Sequence, residues 1–205
     1  MTDELGKCRM TISLFAEDYG HEQFVVPLVR RLAAEEGIRI ELRCLSVRGG
    51  FGRVAKELAE YVRALCQYRE HLPDLVIVAT DANCQGFANR RKPLQKIVEP
   101  IHDRVIFAVP DPHIERWLLL DPAAFKQVLG QPCSTPDQKC GRDRYKNYLA
   151  QAVAQSGRRP LFGGIEHAED LVHAMDLDGL RTRDESLRNL LDELRGRLRS
   201  WGTTT

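Results

Sequence analysis

Long hydrophobic runs are missing from this chain. Its unbroken apolar stretches, such as Leu75–Ala79, Val105–Val109 and Trp117–Leu120, fall far short of the roughly 20 residues a spanning helix needs, so no membrane partner is expected. A charge excess is missing too. The 30 Lys and Arg against 29 Asp and Glu leave a formal charge of +1, which excludes a protein that coats nucleic acid by its overall field but not one with a local basic groove. Aromatics are scarce at 7%, yet 43% hydrophobic and 29% charged residues exclude a disordered or collagen-like chain. The opening MTDELGKCRM has acids and no apolar segment; no secretory leader is expected, and the expected location is cytoplasmic. None of the six cysteines, Cys8, Cys44, Cys66, Cys84, Cys133 and Cys140, belongs to a C-x-x-C. They read as reduced, buried side chains, with only Cys133 and Cys140 in a polar loop where pairing or metal binding is open; zinc is not expected without a second Cys/His pair. Walker A, G-x-G-x-x-G and nucleophile-elbow motifs are also absent, and Gly49-Gly50-Phe51-Gly52 reads either as an anion nest at a helix start or as a tight turn.

What is present is an alternation of strand-like and helix-like segments. Met10 to Ala16 is a nearly continuous apolar run ending in Glu17-Asp18, as in a buried strand entering a loop. His21 to Glu36 repeats apolar residues at helical spacing, Arg39 to Val47 reads as a strand near a sheet edge, and Val54 to Cys66 reads as a helix. Leu75 to Thr80 is apolar and β-branched enough for a central strand and ends at Asp81; a basic helix or loop spans Gln85 to Ile101, and Val105 to Val109 is a further strand. Glu115 to Leu120 and Phe125 to Leu129 read as helix. Strands alternating with helices predict an α/β fold with a parallel sheet covered by helices on both faces. Residues 1–130 are assigned to this core. Residues 131–205, with a polar loop and then apolar helical repeats around Tyr145–Val153, Ile165–Met175 and Leu187–Leu198, are assigned to a helical extension packed on it.

Ligands of parallel sheets sit beyond the carboxyl ends of the strands. Three segments deliver acids to that edge: Glu17 and Asp18, then Asp81 with Asn83, then Asp111 and Glu115. A few oxygen ligands with open positions for water and phosphate suit Mg²⁺. Each acid alone also reads as a helix cap or an exposed first turn.

The segments Leu14-Phe15-Ala16-Glu17-Asp18 and Asp81-Ala82-Asn83 resemble the apolar-Glu-Gly and D-x-D motifs of the TOPRIM family. Glu115-Arg116-Trp117-Leu118, within Asp111 to Leu119, resembles the Glu-x-Trp-Leu signature of small stand-alone TOPRIM-like proteins found beside ATPases of the OLD or ABC-like kind in bacterial anti-phage systems. The likeness spans Met10 to Gly130, with a weaker echo in Tyr145-Lys146 and Phe162 to Glu166. Asp18 stands where that family has Gly, and Asn83 where it has a second Asp. The resemblance implies a Mg²⁺- or Mn²⁺-dependent nuclease hydrolysing phosphodiester bonds of DNA or RNA, with an ATPase partner and a role in anti-phage defence. The alternative is a catalytically weak nucleic-acid-binding or regulatory subunit of an ATPase complex.

Phosphodiester cleavage needs charge neutralisation, a positioned nucleophile and proton transfer. Glu17 is assigned to acid/base work or a shared metal bridge, Asp81 and Asn83 to the principal Mg²⁺, Glu115 with Asp111 to a second metal or to water, and Lys146 to the transition-state charge. Lys146 equally reads as part of a solvated helix face. Arg90, Arg91, Lys92 and Lys96, an acid-free cluster following the Asp81 loop, are the candidate nucleic-acid contacts, with Arg158 and Arg159 extending the track. Among the histidines no ligand spacing emerges, and only His113, between Asp111 and Glu115, is singled out.

Overall fold

The computed structural model describes residues 9–47, 49–68 and 72–204. Strands β1 (Met10–Ala16), β2 (Ile40–Ser46), β3 (Leu75–Ala79) and β4 (Val105–Ala108) form one parallel sheet in the order β2-β1-β3-β4. The charged, alternating β2 is an edge strand, and the wholly buried β3 lies inside the sheet. Helices α1 (Tyr19–Glu35), α2 (Phe51–Gln67) and α3 (Phe87–Ile97) connect successive strands. After β4 come α4 (Ile114–Leu118), α5 (Pro122–Leu129), α6 (Arg144–Gln155), α7 (Ala168–Ala174), the short α8 (Leu177–Leu180) and α9 (Glu185–Thr204). The expected α/β fold with helices on both faces and a C-terminal helical extension is what the chain adopts.

Side chains alternate across a strand, so each strand feeds two cores. Ile12, Leu14, Leu75, Ile77 and Ile106 face a layer built from α1, α7 and α9, including Phe24, Leu28, Leu171, Leu190 and Leu194. Phe15, Val76, Val78, Val105 and Phe107 face the layer of α2 and α3, including Val54, Leu58 and Leu94. Residues on both sides of position 130 share the first layer, so the extension completes the core instead of forming a separate body. The apolar stripe of α9, Leu187, Leu190, Leu191, Leu194 and Leu198, is fully buried in it.

The chain leaves β1 toward β2 on one side and later places β3 on the other. The point where strand order reverses is therefore between β1 and β3, where loops diverge and leave a crevice. Short backbone bonds tie the loops around it together: Glu17 N–H donates to Ala79 O at 3.0 Å, Ala82 N–H to Pro110 O at 2.9 Å and Asn83 N–H to Pro112 O at 3.1 Å.

Candidate active site at the carboxyl edge of the sheet

A cavity of about 500 Å³ opens at this crevice, lined by Glu17, Asp18, Asp81, Asn83 and His113 on the sheet side and by Cys140, Arg142, Tyr145 and Lys146 on the side of α6. Glu17 directly follows β1. Its Oε2 accepts the Thr80 hydroxyl and the Asp81 N–H, the latter at 3.1 Å. Its Oε1 lies toward the glycine turn before α2: a methyl group built on Gly50 would come within 3.8 Å of it. Gly50 has φ +78° and ends the turn without a side-chain cap, so the start of α2 presents backbone to Glu17.

Asp81, just beyond β3, is the most heavily engaged carboxylate. Oδ1 accepts Ile114 N–H at 2.9 Å, and Oδ2 lies 3.0 Å from His113 Nδ1. His21 stands behind it, fully buried, with Nδ1 2.8 Å from Asp18 Oδ1 and Nε2 3.2 Å from Asp81 Oδ1, the latter contact lacking hydrogen-bond alignment. Burial alone would strip the proton from His21, but the charge of Asp81 and the bond to Asp18 raise its pKa to about 10. Burial would likewise favour neutral Asp81; the His21 charge and the His113 bond instead hold it well below the usual carboxylate range. His113 is raised chiefly by its bond to Asp81. Asp18 also caps α1, accepting His21 N–H at 3.1 Å.

A raised His21 contributes stability that is complete below its ordinary 6.5 and lost as pH climbs through about 10. A lowered Asp81 contributes above its ordinary 3.8 and loses that share as pH falls through its lower folded value. The stability difference between wild type and His21→Gln, from urea unfolding in EDTA, is therefore expected to be largest between these ordinary values and to shrink toward pH 10. A difference constant from pH 6.5 to 10 contradicts the coupling.

The sequence-derived residues divide in space. Glu17, Asp81, Asn83 and Lys146 share the cavity. Glu115, on α4, is buried behind its wall with Oε2 lacking a hydrogen-bond partner among the described residues. Burial, then the Asp81 charge, raises its pKa, and Lys146 partly offsets this. Asp111 does not line the cavity. Its backbone N–H bonds Ser186 Oγ and its carbonyl accepts from Gln138. Neither Asp111 nor Glu115, drawn for a second metal or for orienting water, lines the cavity with Glu17 and Asp81.

The basic cluster of α3 also splits. Arg90 is only 5% exposed, with its guanidinium 4.1 Å from the Phe51 ring centroid and Nη2 3.4 Å from Ala82 O. It braces the Asp81 loop against α2 and does not stand on a groove. Arg91 pairs with Glu193 of α9 at 3.3 Å, and Lys92 and Lys96 are exposed but outside the cavity lining. The cations beside the acids come from α6 and its preceding loop, Lys146 and Arg142.

The expectation of reduced, buried cysteines outside the Cys133 and Cys140 loop is corrected. Cys84 and Cys140, both at the cavity rim, form a disulfide with Cα atoms 5.3 Å apart, joining the Asp81 loop to the loop before α6. Cys133 is buried and free rather than paired with Cys140, and Cys44 and Cys66 are exposed; Cys8 lies outside the described residues. Tyr145, fully buried, fixes the same loop: its hydroxyl accepts Lys139 N–H at 2.9 Å and lies 2.8 Å from Asp137 O.

Sequence reasoning passed over His21 because it sits in no ligand motif. Its signal was its place on the buried stripe of α1, with Phe24, Val25 and Leu28, three residues after Asp18. The Cys84–Cys140 pair, separated by 56 residues, left no local signal.

Among the described residues no group of three or more His, Cys, Asp or Glu side chains is arranged to hold a metal ion. Two carboxylates are nevertheless enough for Mg²⁺, which keeps several waters and shares substrate phosphates. Three contacts reach Asp81 and two reach Glu17 Oε2, out of roughly four lone-pair positions per carboxylate. Glu17 Oε1 and one position on Asp81 thus remain open toward a cavity that Asn83 also lines, a donor set whose chemistry suits such an ion.

A family profile described as a domain of unknown function matches residues 16–195, from the end of β1 well into α9. No curated protein and no solved structure matches the chain.

Proposed function

The chain belongs to the DUF4276 family, a domain of unknown function, and we propose that it is a Mg²⁺-dependent nuclease of TOPRIM-like type. The observation that carries this reading is the meeting of Glu17 and Asp81 with Lys146 in one cavity at the strand-order reversal. The motif likeness of Glu17, Asp81 and the Glu115-Arg116-Trp117-Leu118 segment supports it.

Glu17, Asp81 and the Asn83 carbonyl would hold the Mg²⁺. When bound, the ion neutralises phosphoryl charge and lowers the pKa of water at neutral pH. Lys146 and Arg142 attract the phosphodiester and stabilise charge on its non-bridging oxygens. Glu17 orients water and takes its proton. Asp81 keeps His113 oriented through Nδ1, leaving Nε2 as the ring's other proton-carrying position, suited to the leaving oxygen. Glu115, buried and raised in pKa, sets the local potential from behind.

The same proposal places the protein in the cytoplasm as a defence effector working with an OLD- or ABC-like ATPase. No helix among the described residues is long and apolar enough to cross a membrane. A second reading, a weakly catalytic regulatory subunit, is favoured by one feature: the histidines already balance the charge of Asp81, and Asn83 supplies none.

Incubating the protein with plasmid, single-stranded DNA and transfer RNA under Mg²⁺, Mn²⁺ or EDTA separates the two. Cleavage confined to the metal-containing reactions is expected. Nucleic-acid or ATPase binding without cleavage in any buffer supports the regulatory subunit instead.

A further inference from the structure

Few large apolar side chains are exposed among the described residues, and three of them gather beside the cavity. Tyr19, 41% exposed, immediately follows Asp18 of the cavity wall, and Leu161 and Phe162 are 68% and 66% exposed. The rings of Tyr19 and Phe162 lie 6.0 Å apart, tilted by 58°. This is not a loose loop tip. Glu166 accepts backbone N–H groups from Leu161, Phe162 and Gly164 at 2.7, 3.1 and 3.0 Å, which locks the loop around its own carboxylate. Gly164, at φ +94°, presses so close to α6 that an added Cβ would meet Val153 at 2.9 Å and Leu149 at 3.0 Å. On the other side Ile165 packs near Gly20 of α1. The anchored loop and the start of α1 therefore hold two exposed aromatic rings against each other.

The cations near the loop and in the cavity favour an anionic partner. Exposed Arg159 immediately precedes the loop, beside Arg158, whose guanidinium donates to Val128 O of α5 at 3.0 Å, and exposed Lys146 lies on the same helix, α6, that anchors the loop. The only acid within the loop, Glu166, is consumed by backbone N–H groups. Exposed aromatic rings with the exposed Arg159 three residues before Phe162, beside a cavity that holds Lys146 and Arg142, match an unstacked nucleobase, whose flat face is sequence-independent and whose phosphates are anionic. A protein partner's apolar face has no call for the flanking cations. Within a duplex, bases are already stacked and unavailable.

We propose that Tyr19 and Phe162 form a stacking platform for an unpaired base, making single-stranded nucleic acid, including the loops of folded RNA, the substrate class of this site. This rests on the nuclease reading and extends it to the substrate. The platform sets which strand enters; Lys146 and the acids act on the phosphate beside the stacked base.

The test measures fluorescence anisotropy of a labelled single-stranded 12-mer, RNA and DNA, beside an abasic 12-mer and a duplex, with and without Mg²⁺. Tyr19→Ala and Phe162→Ala are expected to weaken single-strand binding about tenfold each, with Phe162→Trp restoring it and abasic binding unchanged by any of them. Circular dichroism melts establish that the variants fold. Unchanged single-strand binding in both alanine variants overturns the platform, as does an equal loss on the abasic strand. If wild type cleaves nucleic acid while those results hold, the nuclease reading survives and only the platform falls. If wild type neither binds nor cleaves any nucleic acid, both fall. Loss of ATPase binding in Phe162→Ala with nucleic-acid binding intact identifies a protein-docking patch and also overturns the proposal.

Discussion

Glu17→Gln is expected to reduce Mg²⁺-dependent phosphodiester cleavage by about 10²- to 10⁴-fold, the range typical of losing a positioned proton acceptor. The substitution is nearly isosteric, and the amide oxygen still accepts the Thr80 hydroxyl and the Asp81 N–H that fix the side chain. What disappears is the negative charge and the basic Oε1 beside the glycine turn. The loss is therefore expected in turnover, with urea unfolding close to wild type. Cleavage persisting within threefold of wild type would remove Glu17 from the chemistry and with it the proposed site, because Asp81 alone is already hydrogen-bonded to His113 and a backbone N–H and faces the charge of His21.

A second large effect is expected away from the chemistry. Asp184, only 4% exposed, joins the segment after β4 to the last helix. Its Oδ2 pairs with Arg116, while Oδ1 accepts Leu187 N–H at 2.8 Å in the first turn of α9 and lies 3.3 Å from Trp117 Nε1. Asp184→Ala removes a helix cap and strands a buried guanidinium at once. Removing one partner of a buried ion pair typically costs about 3–5 kcal/mol, and the cap contributes further. Urea denaturation is expected to show a loss of that order. Loss below about 1 kcal/mol would mean that Arg116 finds water or another acceptor, and that the pair is not what fastens α9 to the site's supporting segment.

These two variants separate what the residues do locally from what they do across the fold, and the legibility of the sequence follows the same division. Strand β1 could be read to its ends because seven residues with buried side chains on both faces leave a nearly continuous apolar pattern, and Glu17 breaks it. The helical stripe of α9 was equally plain. The four-residue α8, by contrast, is too short to show a period. In the Arg90-Arg91-Lys92-Lys96 segment, composition pointed to a phosphate track, but packing turned Arg90 inward onto Phe51 and Arg91 onto Glu193. A basic run says how many cations are available and not which way the helix face turns. Likewise Asp111 and Glu115 stand close to His113 in sequence, yet the short turn into α4 sends His113 into the cavity, Glu115 behind its wall and Asp111 away from it.

By itself the sequence determined the order of strands and helices, the parallel character of the sheet and the edge on which Glu17 and Asp81 lie, since these depend on short-range periodicity and on the ends of apolar runs. The lack of a net charge excess decided nothing about ligands, because burial and pairing, not composition, set which charges remain available. Only the tertiary structure decided that His21 sits between Asp18 and Asp81, that α6 and the loop before it deliver Lys146 and Arg142 opposite them, that Cys84 and Cys140 join the two walls, and that Tyr19 meets Phe162. Each of the last three joins residues more than 50 positions apart, and such partners are chosen by how the helices pack on the sheet, for which no local stretch of chain carries a signal.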